Sequence, residues 1–140
     1  MTGDLAGTYK LLSFGASVDH GPWNDNLLGS NPSGYAMISA TRFMAVLTAA
    51  DRTGGTTVEE RAALFLSLIA YTGEYRIEGN KFITAVDVSW NEKWVGTDQG
   101  RTWRLDGKQL TLLTDPAPNP LNPAQSVVYR VLWERVGAIH

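Results

Sequence analysis

The sequence predicts an all-β domain: an eight-stranded antiparallel up-and-down barrel, with one helix inserted between strands 3 and 4. Three observations predict it. Strand-like runs recur along the 140 residues, separated by Gly, Pro and Asn clusters. The runs are evenly spaced, and only one connection is helical. Sequential antiparallel strands of this kind can close on themselves, which removes exposed sheet edges.

The elements follow in order. "GTYKLLSF" (7–14) is the first strand, and a polar loop rich in turn formers runs through 15–34. "GYAMISA" (34–40) and "FMAVLTA" (43–49), joined by Thr41-Arg42, read as a hairpin. Thr57 followed by Glu60 has capping-box spacing, and "TVEERAALFLSLIAY" sets Leu64, Phe65, Leu68 and Ile69 on one side of a helix of about four turns. "YTGEYRIEG" (71–79), a Gly79-Asn80 turn and "KFITAVDVSW" (81–90) form the next pair. "GRTWRLD" (100–106) and "KQLTLLTD" (108–115) turn around Gly107. A Pro/Asn loop then leads to the last strand, "SVVYRVLWERV" (126–136). No repeat or low-complexity segment calls for a second domain, so residues 1–140 read as one unit.

Composition narrows the function classes. A 44% apolar fraction in a chain of this length supplies a real core. Net charge is −2 with no run of Lys or Arg, which argues against nucleic acid and anionic membranes as partners. The N-terminus lacks a signal-peptide pattern, and "AALFLSLIAY" falls far short of the ~20 residues of a membrane span. A cytoplasmic protein, monomer or homodimer, is the expectation. With no cysteine, and with only His20 and the final His140 as imidazoles, neither a disulfide nor a metal centre is expected. No cofactor motif such as a glycine-rich phosphate loop occurs.

Strand parity sorts side chains to the two faces. Thr72, Glu74, Arg76 and Glu78 mark an outer face, leaving Tyr71, Gly73, Tyr75 and Ile77 inside. Thr102, Arg104 and Asp106 likewise leave Arg101, Trp103 and Leu105 inside. Leu110 and Leu112 follow through the tight turn, and Val127, Tyr129, Val131, Trp133 and Arg135 face inward on the last strand. The fifth strand is apolar on both phases. A hairpin centred near Trp94 would set Asp87 opposite Arg101, and a carboxylate there would relieve the cost of an enclosed guanidinium.

Several runs resemble the small lipocalin-like domain family. "GTYKLLSF" is similar to that family's opening "GTW-x-L-x-S-F" run. "AYTGEYRIEG", "VDVSWNEKWVGTDQGRTWRLDGKQLTL" and the closing "LWERV" are similar to its later blocks, in order. The resemblance implies an eight-stranded calycin barrel with an interior cavity, and for most members no assigned activity. In lipocalins generally, the N-terminal aromatic closes the barrel floor and an arginine of the last strand stacks across it. That would make Tyr9 and Arg135 the floor pair. Two departures stand out. Tyr9 replaces Trp, while keeping a π-face. Thr84 and Ala85 stand where similar sequences often carry a His-His pair, so imidazole chemistry finds no support here.

The candidate binding residues are therefore Met37, Tyr75, Asp87, Arg101, Trp103, Leu112, Tyr129 and Trp133. Met37 and Met44 sit on adjacent strands, where Met fills irregular gaps beside a ligand or in a core. Trp23 and Trp94, in long loops, could rim the mouth or make a subunit contact. Three functions fit. The first is binding of a small hydrophobic or aromatic molecule, with Arg101 as polar anchor. The second is cofactor-free isomerisation, elimination or cyclisation, with Asp87 as base, Tyr75 or Tyr129 as acid and Arg101 stabilising an oxyanion. The third is a filled barrel that serves as an interaction module.

Overall fold

Alternating apolar residues in the strands give each one a buried and an exposed face, and the ring of strands encloses the buried faces. The computed structural model of the protein describes residues 5–138. Its strands are β1 (Gly7–Val18), β2 (Trp23–Asn24), β3 (Ser33–Ile38), β4 (Arg42–Thr48), β5 (Leu68–Glu78), β6 (Lys81–Ser89), β7 (Asp98–Asp106), β8 (Gln109–Leu113), β9 (Ala117–Asn119) and β10 (Asn122–Gly137). The order β1-β3-β4-β5-β6-β7-β8-β10 is antiparallel throughout and closes through β1 against β10, giving the expected eight-stranded barrel. The short β2 and β9 are flaps on β1 and β10.

The helix α1 (Val58–Leu66) lies between β4 and β5. It occupies the expected gap, and the strand numbers shift by one because Trp23–Asn24 adds a short strand ahead of it. The capping box is present: Glu60 N–H donates to Thr57 Oγ1 at 3.1 Å, and Thr57 N–H donates to Glu60 Oε1 at 3.1 Å. The helix is shorter than predicted, because Leu68 and Ile69 pair with Thr48 and Leu47 as the start of β5. None of its residues is buried, so it does not pack into the barrel end.

The barrel has one tight end and one loose end. At the tight end β5–β6 and β7–β8 turn on two residues each, with Gly79 and Gly107 at φ +64° and +62°. The core there comprises Leu5, Tyr9, Ile38, Tyr75, Phe82 and Leu110. At the loose end lie the long connections, namely the helical segment, the β6–β7 loop and the β8–β9 loop.

Two bulges set which side chains enter the barrel. On β1, Leu11 pairs with Trp133 and Ser13 with Leu132, so Leu12 is the extra residue and Phe14 turns inward. On β6, Thr72 pairs with Val88 and Gly73 with Val86, so Asp87 is the extra residue. A Cβ on Gly73 would stand 2.0 Å from the Ala85 carbonyl oxygen, so only glycine fits beside this bulge.

The β1/β10 seam carries an external latch. Arg130 donates to both carboxylate oxygens of Asp25, at 2.8 and 3.0 Å, and its guanidinium lies 4.0 Å from the Trp23 ring centre. Trp23 therefore covers the seam. No helix among the described residues is long and apolar enough to cross a membrane.

Candidate ligand-binding site

The barrel is not filled. A cavity of about 630 Å³ opens at the loose end. Its lining is mainly aromatic and aliphatic, carried by seven strands and by two loops. One wall comes from β4, β5 and the β6–β7 loop. There Phe43, Tyr71, Trp94 and Trp90 form a chain of ring contacts at 5.5, 5.2 and 5.0 Å. Phe65 of α1 extends this chain, 6.4 Å from Trp90. The facing wall comes from the β1/β10 seam, where Phe14 stacks on Tyr129 at 5.8 Å. Leu112, Val131 and Trp133 line the space between wall and floor.

Arg101, on β7, reaches this cavity between the two walls. Its only hydrogen bond among the described residues runs from Nη1 to the Gly100 carbonyl, 2.9 Å away. No described carboxylate forms an ion pair with it. The only acid in the lining, Asp115 at the rim, is engaged by Lys81. Tyr71 is close enough that Arg101's charge acts on its hydroxyl. Burial nevertheless dominates and raises the Tyr71 pKa, so the phenol stays protonated.

At the opposite end Tyr9 and Arg135, the pair the resemblance implies for the floor, are in contact. Arg135 Nη2 and Nε donate to the Tyr9 hydroxyl at 2.8 and 3.2 Å, and the guanidinium lies 5.4 Å from the ring centre. Tyr9 in turn donates to the Leu5 carbonyl at 2.6 Å. Burial raises the Tyr9 pKa, with the Arg135 hydrogen bond opposing.

The eight predicted residues divide into three groups. Arg101, Leu112, Tyr129 and Trp133 line the cavity together. Tyr75 and Trp103 face inward but belong to the packed core: Tyr75 stacks on Phe82 at 4.6 Å and donates to the Ser39 carbonyl at 2.8 Å. Met37 and Asp87 are on the outer wall, contrary to expectation. Met37 pairs with Met44, and both are exposed.

Asp87 is displaced for a definable reason. Phe82, not Asp87, sits opposite Arg101, so the β6–β7 hairpin is centred between Asn91 and Glu92 rather than at Trp94. Asn91 starts the turn early by capping the 3-10 turn Glu92–Trp94, its Oδ1 accepting from Lys93 N–H at 3.1 Å. Asp87 is left outside, bound by Arg42 through bonds of 2.8 and 3.0 Å that hold its carboxyl below the ordinary carboxylate range. It cannot serve as a base for a molecule in the cavity.

Tyr71, Phe14, Phe43 and Trp90 are aromatic lining residues absent from the predicted set, while Trp94, read as a rim or subunit-contact residue, lines the cavity. Tyr71 was legible from the parity of β5. Phe14 was hidden by the Leu12 bulge, and Trp90 by the turn position. Among the described residues no cluster of His, Asp and Glu could hold a metal ion, and His140 lies outside them.

The barrel order, the open cavity and the Tyr9–Arg135 floor agree with one family. Its profile, that of the lipocalin-like domain, matches residues 6–136. The chain belongs to the lipocalin-like domain family. That membership covers nearly the whole chain and accounts for the calyx form, with binding of small molecules the general use of such a barrel. No curated protein matches the sequence, so this lipocalin-like domain receives no ligand or activity from a relative.

Proposed function

We propose that the protein binds a small, mainly aromatic or hydrophobic molecule inside the barrel, with Arg101 as the polar anchor. The observation that carries this reading is the cavity of about 630 Å³, whose mostly apolar wall holds one guanidinium with no acidic partner among the described residues. Pockets of this size and lining, with few placed polar groups, are the usual form of small-molecule sites. Leu112, Tyr129 and Trp133 supply apolar contact around the anchor. Turnover through Asp87 is not part of the reading, because that carboxylate is on the outer wall, bound to Arg42.

Trp90, Trp94 and Trp133 line the cavity and serve as built-in reporters. Titration with naphthalene derivatives should change tryptophan emission saturably, and isothermal calorimetry should give one site per chain. Trp133→Phe should keep the binding while shifting the emission change to the two rim indoles. A full set of aromatic, polycyclic and fatty-acid probes that produces neither heat nor a saturable change would overturn the proposal.

A further inference from the structure

We infer, building on that reading, that the cavity selects flat aromatic carboxylates over neutral aromatics, with Arg101 and Tyr71 as the two groups that recognise the anion. Three independent observations support it.

The first is charge. Arg101 is the only cation in the described lining, and the only acid there, Asp115, is engaged by Lys81. While the cavity is open to solvent, water can solvate the guanidinium. Any molecule that fills the cavity strips that water away. A neutral molecule then leaves an enclosed cation with no counter-charge, which is expensive. A carboxylate replaces the water with a charge-assisted, two-pronged contact. The single cation also argues for a monoanion over a phosphate monoester carrying about two charges at neutral pH.

The second is donor supply. Arg101 spends one N–H of Nη1 on the Gly100 carbonyl, leaving Nε and Nη2 without a described protein partner. The Tyr71 hydroxyl makes no hydrogen bond to the described residues, although Tyr9 and Tyr75 both do. Its raised pKa keeps its proton on at neutral pH, so it can donate to an anion.

The third is shape. In the ring of eight strands, the β1/β10 seam is diametrically across from β5 and β6. The Phe14–Tyr129 stack therefore faces the Phe43–Tyr71–Trp94 chain across the cavity, and Arg101 on β7 stands to one side between them. A planar ring system fits between two aromatic walls, with a carboxylate at its edge directed at β7. A flexible fatty chain would gain less from two ring walls and would lose more rotational freedom on binding.

The test compares 2-naphthoate with its neutral isostere 2-naphthamide by calorimetry on the intact protein. The acid should bind roughly 10- to 100-fold tighter, the effect of a hydrogen bond to a charged group. Arg101→Met should erase that preference while leaving amide binding in place. Tyr71→Phe should reduce it by roughly threefold, as for one neutral donor. Equal or weaker binding of the acid to the wild-type protein would overturn this inference and leave the binding function standing. Binding of neither probe would overturn this inference, and silence from the full probe set would overturn the binding function as well.

Discussion

Tyr9 and Tyr71 are both inward-facing phenols whose pKa burial raises, yet their hydroxyls are treated differently. At the floor, Tyr9 donates to Leu5 and accepts from Arg135, and its neighbour Tyr75 donates to Ser39. In the open half, neither the Tyr71 hydroxyl nor the Nε and Nη2 of Arg101 has a hydrogen-bond partner among the described residues, and Arg101 Nη1 donates to the adjacent Gly100 carbonyl. The same pair of residue types, phenol and guanidinium, closes one end of the barrel and stands ready at the other. Polar groups in a low-dielectric interior stabilise a structure when they are satisfied and cost free energy when they are not. The floor is therefore expected to hold the fold, and the open half to hold the ligand.

Substitutions can break that division, and the largest effect is expected at the floor. Phe82 is fully buried and packs between Tyr75 and Phe43. Phe82→Ala should cost about 3–5 kcal/mol in urea denaturation. Trp94→Ala, in the half-open wall, should cost much less stability and instead weaken binding of aromatic probes. Gly73→Ala comes next, because the new Cβ meets a backbone oxygen rather than a side chain that can move. A loss of about 3 kcal/mol is expected, at the upper end for overpacking. Tyr9→Phe should cost about 1–3 kcal/mol by stranding the Leu5 carbonyl and one face of Arg135. Tyr71→Phe should leave the denaturation midpoint almost unchanged. A matched loss in both Tyr→Phe variants would refute the division of roles.

Arg101→Met sharpens the same contrast from the other side. Replacing a cation that lacks an acidic partner with an apolar residue of similar length should leave stability unchanged or raise it by about 1 kcal/mol. Arg130→Met on the seam should do the opposite, because it unpairs Asp25 and uncovers Trp23. Thermal denaturation of the two variants side by side distinguishes a structural arginine from a binding one.

Much of this was legible in the sequence where one strand face is plainly polar. Glu74, Arg76 and Glu78 fix the phase of β5, and Thr102, Arg104 and Asp106 that of β7, so Arg101 could be pointed inward from spacing alone. The strand that misled is β6, whose "FITAVDVSW" offers apolar residues on both phases. Its phase is set by tertiary pairing: Phe82, Thr84 and Val86 are buried, which turns Asp87 outward by alternation, and a bulge there turns Val88 outward too. Gly73 was the available signal, because a glycine in mid-strand commonly marks a bulge or close backbone approach. The helix was overextended for a similar reason. Leu68 and Ile69 suit a helical stripe, but they pair with Thr48 and Leu47 of β4 and extend the barrel sheet instead.

Asp87 supplies the smallest expected effect and the most direct check on the register. Its carboxyl is held below the ordinary value of 3.8, first by its hydrogen bonds from Arg42 and then by that residue's charge. The unfolded chain therefore binds a proton here more readily than the folded one. The pair's contribution is fully present above the unfolded pKa and is lost as pH falls through the lower folded value. Both side chains are well exposed, so the contribution is small and weakens with salt. Asp87→Asn should lower the melting temperature slightly at pH 7, and the difference should shrink as pH falls from the unfolded value through the lowered folded one. Had Asp87 been the inner partner of Arg101, the same substitution would also change ligand affinity. With Phe82 opposite Arg101 instead, Asp87→Asn should bind aromatic carboxylates as the wild type does. A change in that affinity with an unchanged melting profile would reverse the assignment of Asp87 to the outer wall.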